Sequence, residues 1–186
     1  MSMRDSLDSL HDRGVSLATR TIVLEGEVDA AMTMRLFKNM NILQQRTSSN
    51  PMTIVINSEG GDVQQALAMY DLIQASDVHI TTVALGDCMS SACIILQAGD
   101  LRKSYASSTV MYHQGTTSVG ETPTNEVKAA FSSSQSLCKR SDDIVYARMK
   151  SATNLSRVKF DKMLDAGIYL MAPFALREGL IDEVLL

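Results

Sequence analysis

Leu85-Gly86-Asp87-Cys88-Met89-Ser90-Ser91-Ala92-Cys93 joins one apolar run to another through a glycine and two adjacent serines. The run before it, His79 to Leu85, reads as a strand buried on both faces, and Ser90 to Ala98 reads as the helix that follows. A serine at such a junction sits at a helix N-terminus, where free backbone N–H groups and the helix dipole favour negative charge. Two uses fit that position. Serine is a favoured N-cap, and it is also a nucleophile whose oxyanion the same N–H groups would stabilise. Taken alone, the cap is the commoner use, so the choice rests on the rest of the chain.

Upstream, Met52 to Ile56 is a continuous apolar strand of the doubly buried kind. Asn57-Ser58-Glu59-Gly60-Gly61-Asp62 follows as a loop and leads into a helix with Val63, Ala66, Leu67, Tyr70 and Ile73 on one face. Earlier still, Thr21 to Leu24 is a short β-rich run ended by Gly26. Asp29 then caps a helix whose apolar face is Met32, Leu36, Met40 and Leu43. Residues 1–17 read as a flexible arm, extending to about residue 20, and Arg46 to Pro51 as a turn. Downstream, Ser107 to His113 reads as a strand and Gln114 to Thr124 as a polar, flexible stretch. Thr124 to Ser151 reads as one long helix with a thin apolar stripe of Val127, Phe131, Cys138, Val145 and Met149, suited to packing against a partner. Ser156 caps a short helix through Leu164 that Gly167 closes. Pro173 opens a final short helix stopped by Gly179, and Ile181 to Leu186 closes the chain as a strand. Strands alternating with helices through short links predict an α/β fold built of right-handed βαβ units with parallel strands.

The 186 residues are 45% hydrophobic and 20% charged, which fits one globular domain with a proper core. A net charge of −4 argues against a nucleic-acid partner. No segment is long and apolar enough to cross a membrane, and the polar N-terminus lacks the apolar core of a secretory signal. Cys88, Cys93 and Cys138 have no metal-ligand spacing and read as thiols in a reducing cytoplasm. The twelve methionines read as core filling or adaptable contacts.

Three features converge on one site. Ser90 is the first. Gly60-Gly61 is the second, at another strand-to-helix junction, where glycine lets backbone approach a ligand closely. His113 is the third, at the end of Val110-Met111-Tyr112. Ligands in α/β proteins gather at the carboxyl ends of parallel strands, where Ser90 and Gly60-Gly61 both lie. A serine needs a base, and histidine is the usual one near neutral pH. Of the three histidines, His11 lies in the arm and His79 opens a strand, which leaves His113. The paired glycines match neither the Walker nor the dinucleotide fingerprint.

With those residues in view, the chain resembles the Clp protease proteolytic subunits (ClpP) from about Thr21 onward. Ile56-Asn57-Ser58-Glu59-Gly60-Gly61 resembles the family's Asn-Ser-Pro-Gly-Gly, with Glu59 in place of proline. Ala68-Met69-Tyr70-Asp71 is similar to the family's Ile-Tyr-Asp segment. Gly86 to Ala92 resembles Gly-Gln-Ala-Ala-Ser-Met-Gly, and Val110-Met111-Tyr112-His113-Gln114 resembles Val-Met-Ile-His-Gln. Ala172-Pro173 through Ala175 to Gly179-Leu180-Ile181-Asp182 resembles the family's closing motif. The resemblance implies a ClpP/crotonase-like fold of repeated ββα units in a single domain over residues 1–186, with a handle region at about 114–151. It implies a serine endopeptidase in which Ser90 is the nucleophile and His113 the general base, with the amides of Gly61 and Ser91 as the oxyanion hole.

The acid is where this sequence departs from the family. Aligning Tyr169-Leu170-Met171-Ala172 on the family's aromatic-Leu-Ser-Ala puts Gly167 at the position of the aspartate, and Asp165 is the nearest carboxylate before it. Asp165 is therefore the candidate acid, reaching His113 through a glycine-containing loop. The resemblance further implies a cytoplasmic homo-oligomer of two stacked heptameric rings. Its axial arm would meet an AAA+ Clp ATPase that supplies unfolded polypeptides. The stretch from Gln114 to Thr124 would pair with substrate as an added strand. The chain itself needs no cofactor, ATP being used by the partner. Two alternatives stand beside this reading. Gly167 favours a ClpR-like structural ring subunit of little activity, and the shared architecture allows a crotonase-like acyl-CoA enzyme.

Overall fold

The computed structural model describes residues 12–46, 49–115 and 124–186. In chain order the elements are β1 (Val15–Ser16), β2 (Thr21–Val28), α1 (Ala30–Arg46), β3 (Met52–Gly61), α2 (Val63–Gln74), β4 (Ile80–Met89), α3 (Ser91–Leu96), β5 (Leu101–Tyr105), β6 (Thr109–Tyr112), α4 (Thr124–Thr153), α5 (Arg157–Ala166), β7 (Ile168–Met171), α6 (Ala172–Arg177) and β8 (Glu183–Leu185). The sheet runs β1-β2-β3-β4-β5-β8, and β6 joins it by pairing with β4 and β7. Every pairing among β2, β3, β4, β5 and β8 is parallel, as is β4 with β6. The α/β class with parallel strands read from the sequence is the observed one.

The caps form as their residues dictate. The Asp29 side chain accepts from the Met32 amide at 2.7 Å, that of Asp62 from Gln65 at 2.9 Å, and that of Ser156 from Lys159 at 3.3 Å. The apolar faces of α1 and α2 and the inward residues of β2 and β3 meet in one core, in which Met32, Met40, Met52, Met69 and Met149 are buried.

Four expectations need correction. Residues 12–20 are not a free arm, because Val15 is buried and β1 pairs antiparallel with β2. Residues 1–11, the rest of that arm, lie outside the described residues. Gly26 does not end β2; it takes a positive φ of 85° within the strand, and the pairing with β3 shifts register between Glu25 and Glu27. β3 is not buried on both faces but alternates, Ile54 and Ile56 inward and Val55 only half-covered. β3 and β4 also run longer than their apolar stretches, through Gly61 and Met89, so the Asn57–Gly61 segment is strand rather than loop.

What positions the site is a fork in the sheet. The first half of β4 pairs with β5 (Thr81 to Ala84) and the second half with β6 (Asp87 to Met89). Between the halves, Gly86 takes a φ of 70°. Buried Ser108 fills the gap there: its hydroxyl donates to Ala84 O at 3.1 Å and accepts from Gly86 N at 3.0 Å. The fork lays the end of β6, and so His113, beside the end of β4.

α4 is longer than expected by two residues at its end. Val145 and Met149 are buried, whereas Phe131 in its first half is 45% exposed. At 30 residues, α4 extends about 45 Å. Most of the stretch proposed to run beside substrate, residues 116–123, lies outside the described residues.

Candidate active site

Ser90 sits between β4 and α3 with φ 53° and ψ −122°, a backbone conformation L-residues rarely adopt. It is the N-cap of α3 by position only, since its side chain makes no cap hydrogen bond. The hydroxyl instead lies 2.8 Å from His113 Nε2. A strained strand-to-helix turn that lifts a hydroxyl away from its own helix is the geometry of an exposed nucleophile. The turn is held by backbone. Ser90 N donates to Met111 O at 2.9 Å, and Ser90 O accepts from Cys93 N at 3.1 Å.

Gly60 fixes the other side. A methyl group there would stand 2.8 Å from both Met89 O and Ser90 Cβ, and 3.1 Å from Ser91 N. Its φ of 106° adds a second reason for glycine. At Gly61 a methyl would meet Val28 O at 2.5 Å. The paired glycines thus let β3 press against both β2 and the Ser90 turn.

For Ser90 to donate its proton, Nε2 must be bare and Nδ1 must carry the ring proton. Among the described residues no hydrogen bond or ion pair joins His113 Nδ1 to a carboxylate. Asp165 is exposed in the last turn of α5, and among the described residues it makes no hydrogen bond or ion pair with His113. Gly167 caps that helix with φ 73° and ψ 129°. The thiols flanking Ser90 are inert, since burial pushes Cys88 well above the ordinary thiol range and Cys93 up to about 12. Ser91 is buried, and its hydroxyl has no hydrogen-bond partner among the described residues.

Sequence reasoning missed two contributors. Ser108 is one. The other is the pair beneath His113, where Tyr112 OH donates to Asp142 Oδ1 at 2.8 Å. Burial, followed by the neighbouring Asp142 charge, pushes the Tyr112 hydroxyl far above its ordinary value. Burial likewise raises the Asp142 carboxyl. The signal for this pair was an aspartate on the inner face of α4, in line with Cys138 and Val145.

The Clp protease family model matches residues 7–186. The chain belongs to the Clp protease family. It is 29% identical over 172 residues to the ATP-dependent Clp protease proteolytic subunit of Deinococcus radiodurans, covering 91% of this chain and 81% of that protein. With proteolytic subunit 2 of Prochlorococcus marinus it is 31% identical over 186 residues, covering 95% and 89%. Its fold matches a point mutant of ClpP1 from Listeria monocytogenes with a TM-score of 0.76, at 23% identity and over 91% and 92% of the two chains. The Clp-type fold read from the motifs is therefore the fold of this chain, and the chain is a serine protease of the Clp type rather than an acyl-CoA enzyme. Among the described residues no helix is long and apolar enough to cross a membrane.

Proposed function

We propose that this Clp protease family member hydrolyses peptide bonds through Ser90 and His113. The observation that carries the reading is the 2.8 Å contact between Ser90 Oγ and His113 Nε2 at a strained turn. Ser90 attacks the peptide carbonyl, and His113 takes the hydroxyl proton and returns it to the leaving amine. Water then releases the acyl group by the same proton path. The amides of Gly61 and Ser91 receive the oxyanion. Their support is the approach of β3 to the Ser90–Ser91 backbone at Gly60.

Among the described residues no carboxylate is bonded to His113. Asp165 enters the relay only if the last turn of α5 unwinds toward the histidine. Without an acid, turnover is lower by up to about four orders of magnitude than in a complete triad. Gly167 therefore supports a second reading, a ring subunit whose own activity is slight.

Family membership carries oligomerisation and partnership with an ATPase as general properties. The finer assembly proposed here is two stacked heptameric rings of cytoplasmic subunits, served with unfolded polypeptide by an AAA+ Clp ATPase. Exposed Met34 and Phe37 on α1, and exposed Phe131 on α4, support burial of these faces between subunits.

The test is a fluorogenic peptide and a fluorophosphonate probe applied to the wild type and to Ser90→Ala. Turnover and labelling that vanish with Ser90 are expected. Equal signal from both proteins would remove Ser90 from the mechanism. Native mass spectrometry reads the fourteen-subunit assembly, and a stable monomer would overturn it.

A further inference from the structure

His113 stands one residue past the end of β6, whose ladders with β4 and β7 stop at Met111 and Tyr112. Among the described residues its ring has one hydrogen bond, to Ser90 Oγ at 2.8 Å. With no carboxylate bonded to it, the ring is placed by the backbone that carries it. That backbone is laid along one face of α4. Tyr112, just before His113, donates from its hydroxyl to Asp142 Oδ1 at 2.8 Å. Gly115, two residues after it, lies against Cys138, and a methyl at Gly115 would stand 2.7 Å from Cys138 Sγ. Cys138 and Asp142 are four residues apart in the helix and so share a face. The chain therefore meets α4 on both sides of the base.

Of these two contacts, the Tyr112–Asp142 bond is the directional one. Both residues are buried, so breaking the bond leaves polar groups that water cannot readily serve. Burial holds the Tyr112 hydroxyl protonated, and so a donor. Asp142 is anchored in turn. It lies in the field of Arg157 at the start of α5, whose guanidinium bonds Asp143 at 2.6 Å and Asp161 at 2.7 Å. The motif that Val110-Met111-Tyr112-His113-Gln114 resembles has isoleucine in place of Tyr112, and isoleucine cannot make this bond. The same chain carries Gly167 where the family's acid lies by alignment. The β6–β7 ladder sets Tyr112 opposite Ile168, so the two departures are neighbours at the base.

We propose that Tyr112 and Asp142 are positioning residues of this protease, a tether from α4 that holds the backbone of His113 so that Nε2 faces Ser90 Oγ. This rests on the assignment of Ser90 and His113 above. A triad's acid orients the imidazole and also stabilises its cation. The tether performs only the first task, and it does so from the backbone. Its value lies in geometry, because a displacement of about 1 Å at reacting atoms costs about 100-fold in rate.

Cleavage of a fluorogenic peptide and the rate of fluorophosphonate labelling test this on the full-length protein. Tyr112→Phe removes one oxygen and keeps the ring. It is expected to lower kcat and the labelling rate ~10-fold or more, with KM within about twofold. Asp142→Asn is the conservative variant. It keeps the acceptor for Tyr112 and should hold kcat within about threefold. Tyr112→Phe combined with Asp142→Asn leaves no buried charge behind, and should lose as much kcat as Tyr112→Phe alone. A bond that served only the fold would lower Tm and leave the kcat of the folded protein in place. A Tyr112→Phe protein with kcat within twofold of wild type, a loss confined to KM, or an equal loss in Asp142→Asn overturns the positioning role and leaves the Ser90 mechanism standing. Should Tyr112→Phe not fold, the combined variant gives the same reading against Asp142→Asn. Turnover or labelling that persists in Ser90→Ala overturns the mechanism itself. A wild type with neither turnover nor labelling overturns both.

Discussion

At the carboxyl end of β4 the backbone around Ser90 is fixed on every side, whereas at the turn between α5 and β7, where the resemblance sets the acid, no described carboxylate is bonded to His113. Around Ser90 the turn is strained, the approaching strand bears glycines, and a methyl at Gly60 would collide with backbone. At Gly167 a methyl would meet only the ring of exposed Tyr169, at 3.4 Å. The nucleophile half is over-determined by packing, and strained conformations persist only under such support. The antiparallel β6–β7 ladder, with Tyr112 opposite Ile168, brings the turn at Gly167 next to His113, but Gly167 has no side chain to offer there. A relay can therefore lose its acid without losing the geometry of its nucleophile and base, and the two halves should respond differently to substitution.

The largest effect belongs to the fixed half. Ser90→Ala is expected to bring peptide turnover down to background with circular dichroism unchanged. Retained peptidase activity would break the contrast at its root. Gly60→Ala comes next. It puts a methyl 2.8 Å from Met89 O and Ser90 Cβ at a positive φ. A loss of about 100-fold in kcat/KM is expected, because a displacement of about 1 Å at reacting atoms costs that much. Stability should fall by about 2 kcal/mol in urea titration. Normal activity in Gly60→Ala would show that the Ser90 turn is not held by β3.

The open half should give the opposite sign. Gly167→Asp puts a carboxylate at the position where the family's acid lies by alignment. It is expected to raise kcat ~10-fold or more, against a ceiling of about 10⁴. The Gly167 backbone, φ 73° and ψ 129°, makes the substitution cost about 1–3 kcal/mol, read as a lower Tm. Asp165→Asn, on an exposed side chain unbonded to His113, should change kcat by less than ~2-fold. A large loss in Asp165→Asn would place that carboxylate in the relay and close the gap the structure shows.

The fixed half was also the legible half. Ser90, His113 and Gly60-Gly61 stood at strand ends marked by apolar runs and turn residues, signals that depend on a few neighbouring positions. β5 was not legible. Leu101-Arg102-Lys103-Ser104-Tyr105 has two cations where a strand core is expected. It forms because Arg102 is buried against Asp182, with Nε to Oδ2 at 2.9 Å and Nη1 to Gln97 Oε1 at 2.8 Å. That partner lies eighty residues away, beyond any local pattern. The Tyr112–Asp142 pair was hidden for the same reason. That Gly167 stands where the family has its acid rests on motif register alone, since a glycine after a helix reads equally as a C-cap, which it also is.

Asp142 gives a smaller effect, in stability. Its carboxyl is raised chiefly by burial, so the folded chain binds its proton more tightly than the unfolded chain. Ionised Asp142 then weakens the fold above its folded pKa, and stability returns as pH falls from there toward the ordinary value of 3.8. Asp142→Asn keeps the Tyr112 hydrogen bond and carries no charge. It should melt above the wild type near pH 7, with the advantage shrinking toward pH 4. A lower Tm at neutral pH would show that the ionised carboxylate supports the fold rather than weakening it.

The smallest effect separates the two adjacent serines. Ser90 is strained and bonded to His113, while Ser91 is buried at the first position of α3 with its hydroxyl unpartnered. Only the Ser91 amide has a role in the proposed reaction, and a buried hydroxyl without a partner costs about 1–3 kcal/mol. Ser91→Ala removes that cost, keeps the amide and leaves a space of a single oxygen, so a gain of about 1 kcal/mol and kcat within about twofold are expected. Thermal melts and the same fluorogenic peptide read both. A fall of more than tenfold would give the Ser91 hydroxyl a part in the reaction, and the division of labour between the two serines would have to be redrawn around it.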